Sequence, residues 1–232
     1  MAKKTKKAVS ATADKKNIDS TIKKVYPLAG AIAFIKSESK VKFDASVEVH
    51  MRLGIDPRKG DQQVRSAVSL PNGTGKTIKI AAFVAPGKEE EARKAGADIV
   101  GGEDLINQIK TTEKTDFQVA VAEPMMMKNL APIAKILGTR GLMPSPKNET
   151  VTPNIVKAIE ELKKGKVSFK NDDTGNIHVV IGKVSFADDK LIENFNAFYT
   201  AVKKVKPTTS KGLYFKNISV NATMGKGVKV SV

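Results

Sequence analysis

The chain has no cysteine and no tryptophan, only two histidines, and an aromatic content of 5%. Without cysteine there are no disulfides, no thiolate nucleophile and no thiolate-ligated metal, which is compatible with a reducing cytoplasm. The two histidines, His50 and His178, have no glutamate or second histidine at helical metal-binding spacing, so neither a metal nor a cofactor is expected. No serine sits in a Gly-x-Ser-x-Gly elbow, and no catalytic set emerges. No apolar run is long enough to cross a bilayer, and neither a lipidation signature nor a strongly amphipathic basic helix is visible, so a membrane partner is not expected. The N-terminus, Met1 to Lys7, is basic with no apolar core behind it. It reads as a basic arm, either a solvated tail or an RNA contact, and not as a secretory signal.

Positive charge is what the chain has in excess. Among 232 residues, 40 Lys and Arg stand against 24 Asp and Glu, a net charge of +16. Such a chain attracts polyanions, and nucleic acid gives affinity through release of the counterions held by its phosphates. The excess is uneven. Residues 1–73 carry 15 basic against 7 acidic side chains and residues 166–232 carry 11 against 5, whereas residues 74–165 carry 14 against 12. This split suggests one basic domain built from both ends, 1–73 plus 166–232, with a nearly balanced second domain, 74–165, inserted.

The periodicities differ in the same way. In the middle, Thr77–Ala85, Ala97–Val100 and Phe117–Ala122 read as buried strands. Between them lie helices at Lys88–Ala95 and around Leu105, Ile106 and Ile109, and a Met- and Pro-punctuated helical stretch runs on to Leu137. Alternation of that kind predicts a parallel sheet with helices on its faces, an α/β layout. The ends predict an α+β sandwich with a mostly antiparallel sheet. A helix runs from Pro27 to about Ser37, and strands lie near Ser46–Leu53 and Val64–Leu70. Strands at Lys166–Lys170 and Ile177–Ile181 are joined as a hairpin by the turn-prone segment 171–176. A helix after Asp188-Asp189 buries Leu191, Ile192, Phe195, Phe198 and Val202, and strands at Leu213–Val220 and Val228–Val232 complete the chain.

Gly73-Thr74-Gly75-Lys76-Thr77 looks like the end of a phosphate-cradling P-loop. That motif needs a glycine five residues before its second one, and here Leu70 stands there, with Pro71 removing an amide. Met125-Met126-Met127 reads as core filling or a helix start. The segment from Lys135 to Pro146 reads as a basic surface loop.

Several blocks carry a resemblance. They are Lys42–Lys76, Ala95-Gly96-Ala97-Asp98-Ile99-Val100-Gly101-Gly102, Ile136-Leu137-Gly138-Thr139-Arg140-Gly141-Leu142-Met143-Pro144, Thr174-Gly175-Asn176-Ile177-His178 and Thr223-Met224-Gly225. Together they resemble the large-subunit ribosomal protein L-one family of the mobile ribosomal stalk, in its bacterial form. The resemblance implies a discontinuous first domain that grips folded large-subunit rRNA, and an inserted Rossmann-like three-layer second domain. By motif position it implies contacts from Lys42, Phe43, Ser46, Thr223, Met224 and Gly225, weaker ones from Thr174 and His178, and a hydrogen bond from Asn217, which stands where the family often has serine. Lys42, Lys170, Lys183 and Lys226 would add phosphate contacts. It further implies exit-site tRNA and the chain's own operon mRNA as partners, a monomer when free of the ribosome, and a cytoplasmic ribosomal location without enzymatic activity. Gly73, Gly75 and Gly165 suggest a double hinge. Two other classes stand beside this reading: a general basic nucleic-acid binder, and a nucleotide-dependent enzyme using the middle domain.

Overall fold

The computed structural model describes residues 24–231, and the basic arm at Met1 to Lys7 lies outside them. Ten strands and six α-helices, numbered in chain order, are found among the described residues. They divide into two compact units, one running to Val64 and resuming at Lys170, the other Arg65–Phe169.

The first unit is a five-stranded sheet covered on one face by helices. Its order is β1 (Val25–Pro27), β10 (Val228–Ser231), β9 (Phe215–Ala222), β2 (Ser46–Leu53) and β8 (Asn176–Lys183). Only the β1–β10 pair is parallel. Strict alternation sets the two faces. Val47, Val49, Met51 and Leu53 are buried, facing inward with Ile177, Val179 and Ile181 of β8 and Ile218, Val220 and Ala222 of β9. Helix α1 (Leu28–Glu38) and helix α6 (Asp188–Lys204) cover this face with Ile32, Ile35, Leu191, Phe195, Phe198 and Val202. Ile192, expected in the core, is only half-buried. The next inward position belongs to Asn194, fully buried with its amide donating to the Ile181 carbonyl at 2.7 Å.

The expected hairpin across residues 171–176 does not form. Strand β7 (Lys166–Lys170) pairs with β3 (Arg65–Ser69) in a separate two-stranded sheet, and β8 pairs with β2. An isolated Asn171–Ile177 bridge is what joins them. The reason lies in register: Ile177, Val179 and Ile181 must share the buried face of β2, and a partner that buries them outweighs a local one.

The second unit has a three-stranded parallel sheet of order β5 (Ile99–Gly101), β4 (Ile80–Phe83), β6 (Val119–Ala122). Its faces carry two cores. Ile80, Ala82, Val84 and Val121 pack with Ala92 of α2 (Glu89–Lys94) and with Ile155, Ile159 and Leu162 of α5 (Ile155–Lys163). Ala81, Phe83, Ala120 and Ala122 pack with Ile106 and Ile109 of α3 (Glu103–Thr112) and with Leu137 of α4 (Ala134–Thr139). β5, expected as a buried strand over Ala97–Val100, lies at the sheet edge and is half-buried throughout. The helical stretch expected to run on to Leu137 is instead two 3₁₀ turns, Pro124–Met127 and Ala131–Ile133, followed by α4. Within the methionine run, Met126 is buried and Met125 is exposed.

Candidate nucleic-acid interface

The face of the five-stranded sheet opposite the helices is polar. Alternation places Glu48, His50 and Arg52 of β2 on it, flanked by Asn176 and His178 of β8 and by Asn217, Ser219 and Asn221 of β9. The register sets His50 between His178 and Ser219, and Arg52 between Asn176 and Asn217. The two imidazole Nδ1 atoms are 2.7 Å apart, so one ring donates and the other accepts. His50 Nε2 lies 2.8 Å from Asn221 Oδ1, which extends the bonded chain across three strands.

At one end of this face the strand termini are pinned together. The Thr223 N–H donates to the Ser46 carbonyl at 2.9 Å, and the Ser46 N–H donates back to Thr223 Oγ1 at 3.2 Å. The Thr223 hydroxyl donates to that same Ser46 carbonyl at 3.2 Å, so its proton and one of its two lone pairs are committed to the clamp. Ser46 is itself buried. A tight turn follows, closed by the Gly225 N–H on the Ala222 carbonyl at 2.7 Å. This turn holds Met224 at φ 65 with 85% of its surface exposed. Phe43, in the segment leading into β2, is 55% exposed. Two large apolar side chains thus stand in water at a polar face, where a base or ribose can pack against them.

The lysines around this end differ in what they do. Lys42 is exposed and makes no ion pair with a described residue. Lys183 Nζ donates to the Asp44 carbonyl at 3.0 Å, and Lys226 pairs with Glu38 at 3.0 Å. Both hold the chain in place as well as contributing charge.

Thr174 and Asn217 belong to the other end, about 20 Å from Ser46 at the rise of an extended strand. Asp172 organises the turn there. Its carboxylate accepts from the Thr174 N–H at 2.9 Å and the Asn176 N–H at 2.6 Å, and from both of their side chains. Burial pushes this carboxyl up, but the bonds from Asn176 and Thr174 outweigh it and hold the group well below the usual carboxylate range. The Thr174 hydroxyl is therefore committed to the turn. Lys170 ends β7, outside the five-stranded sheet. The structure thus gathers Lys42, Phe43, Ser46, Thr223, Met224 and Gly225 at one end, and puts His178 mid-face. His50, Arg52, Ser219 and Asn221 were not singled out as site residues from sequence. The period-two pattern of β2 and β9 is the signal that exposes them.

Gly73, Gly75 and Gly165 all lie in the second unit, each with positive φ. A Cβ at Gly165 would stand 2.4 Å from the Gly73 Cα, so this crossing of two chain segments requires glycine. Among the described residues no group of three or more His, Asp or Glu could hold a metal.

Comparison with known proteins identifies the family. Residues 35–226 match the Ribosomal protein L1p/L10e family. The large ribosomal subunit protein uL1 of Mycoplasma capricolum is 53% identical over 207 residues, 89% of this chain and 91% of that protein. The protein of the same name from Streptococcus pyogenes is 48% identical over 230 residues, 99% of this chain and 98% of its own. The matched stretch takes in the whole sheet-end cluster from Lys42 to Gly225, and the chain belongs to the Ribosomal protein L1p/L10e family.

Proposed function

We propose that the chain is a structural constituent of the large ribosomal subunit, not an enzyme, whose first unit binds folded rRNA of the mobile stalk. The observation that carries this is the polar sheet face with Phe43 and Met224 exposed at its pinned end. Folded RNA is read by shape, ribose hydroxyls and backbone, and a flat face of amides, hydroxyls and imidazoles with apolar platforms supplies those partners. Lys42 and the overall +16 charge supply phosphate attraction. A general basic binder would need no such ordered constellation.

On this reading the chain works in the cytoplasmic ribosome, is a monomer when free, and helps the stalk release exit-site tRNA. It also represses its own operon by binding an mRNA leader that imitates the rRNA site. The balanced middle, about 74–165, acts as an inserted domain, and Gly73, Gly75 and Gly165 form its pivot. Photocrosslinking to a stalk rRNA fragment tests the site: crosslinks should fall at Phe43 and Met224. Crosslinks confined to lysines of the second unit would contradict it. Repression is tested separately, because a protein that binds rRNA but not its own leader would remove that role alone.

A further inference from the structure

Gly73-Thr74-Gly75-Lys76-Thr77 fails as a P-loop and is not used by the sheet face. In the structure it lines a cleft of about 540 Å³, together with Asp98 and residues Leu162–Gly165 at the carboxyl end of α5. None of the backbone N–H groups of Thr74 through Ile78 donates to another described residue, although the next one, of Lys79, is bonded to Gln118 at 2.8 Å. Gly75, Lys76 and Thr77 are exposed, so water serves their donors and an external acceptor can replace it.

The side chains around these amides are cationic. Three lysines, Lys76, Lys163 and Lys164, line the cleft against one carboxylate, Asp98. Asp98 is already engaged, with Oδ2 accepting the Ile80 N–H at 3.0 Å. Lys164 lies 3.9 Å from Glu160. Lys76 and Lys163 make no ion pair with a described residue. The Lys163 ammonium is held over the backbone of Gly96, where a Cβ would come within 2.8 Å of Nζ at a φ of +100°.

We propose that this cleft is an anion site that takes a phosphate group, bound by the free amides of residues 74–78 and by Lys76 and Lys163. Amide donors and ammonium groups on residues that line one cavity are the chemistry that recognises a tetrahedral oxyanion. The phosphate can come from the RNA backbone, in which case the inference rests on the function proposed above, or from a free phosphate or polyphosphate.

The test uses the full chain labelled for amide NMR, with inorganic pyrophosphate and a stalk rRNA fragment as separate probes. Pyrophosphate should shift the amides of residues 74–78 and of Lys163 while leaving Ser46 and Thr223 unmoved. The Lys76→Ala/Lys163→Ala variant should bind it about tenfold or more weakly, the scale of losing charged contacts. The exposed Lys76→Ala change alone should give a smaller loss in the same direction, which guards against misfolding of the double variant. If the rRNA fragment moves the same amides and pyrophosphate competes for them, RNA is the source. If only pyrophosphate moves them, free phosphate is. Absence of any shift at millimolar pyrophosphate, or shifts unchanged in the double variant, overturns the site. Neither result touches RNA binding at the sheet face, which Phe43 and Met224 report independently.

Discussion

Thr223 and Met224 are neighbours, but they test different things. The Thr223 hydroxyl is bonded on both sides to the Ser46 backbone, so Thr223→Val strands a Ser46 N–H and loosens the ends of β2 and β9. It should cost about 1–2 kcal/mol of stability as well as RNA affinity. Met224 is 85% exposed and supports nothing in the fold. Met224→Ala should therefore weaken binding to stalk rRNA by about 1–3 kcal/mol, the scale of one apolar or stacking contact, with stability unchanged within about 0.5 kcal/mol. Binding isotherms and thermal melts on the two variants check this. Equal affinity for Met224→Ala and the parent would remove Met224 from the interface. Asp172 makes a prediction in pH. Its carboxyl is depressed below the ordinary value of 3.8, so its contribution is complete above that value and fades as pH falls below it. Asp172→Asn should lower the melting temperature at pH 6, and the gap should narrow progressively as pH falls below the ordinary aspartate value. A gap that widens at low pH would contradict the assignment.

Among the elements, the crossing at Gly73 and Gly165 is the most constrained. Gly165→Ala adds a Cβ within 2.4 Å of a backbone carbon at a φ of +105°, and no side-chain rearrangement relieves it. The variant should lose at least about 2 kcal/mol by denaturant titration, and an unchanged midpoint would mean that the two segments do not cross so closely. The elements also show what sequence can convey. β2 is legible from Ser46 to Leu53 because one face is buried and the alternation is unbroken. α6 is legible because its aspartates open it and its apolar residues recur at helical spacing. β1 is not, because three residues gain strand character only by pairing with β10, some two hundred positions away. α5, between Pro153 and Gly165, carries its own local signal in the Asn154 cap, which accepts the Lys157 N–H, and in the spacing of Ile155, Ile159 and Leu162. The false hairpin at 171–176 came from turn chemistry that is real but local. Asp172 does build the turn, while the partners of the flanking strands are decided elsewhere. Among site residues, Phe43, Thr223 and Met224 came from family resemblance. The His50–His178–Asn221 chain needed the register of three strands, which no single segment contains.

At the scale of the whole molecule, net charge and an ordered site make opposite demands on salt. A charge of +16 binds any polyanion at low ionic strength, and that affinity falls steeply as salt displaces the phosphate contacts. Contacts from the sheet face to bases and riboses would not fall in this way. Recognition of folded stalk rRNA by the first unit is tested most directly by binding to a stalk rRNA fragment and to an RNA duplex of equal length across a salt series. Fragment binding should persist at a salt concentration where duplex binding is gone. Equal affinities that fall with the same steep slope would show charge acting alone, and would contradict such recognition.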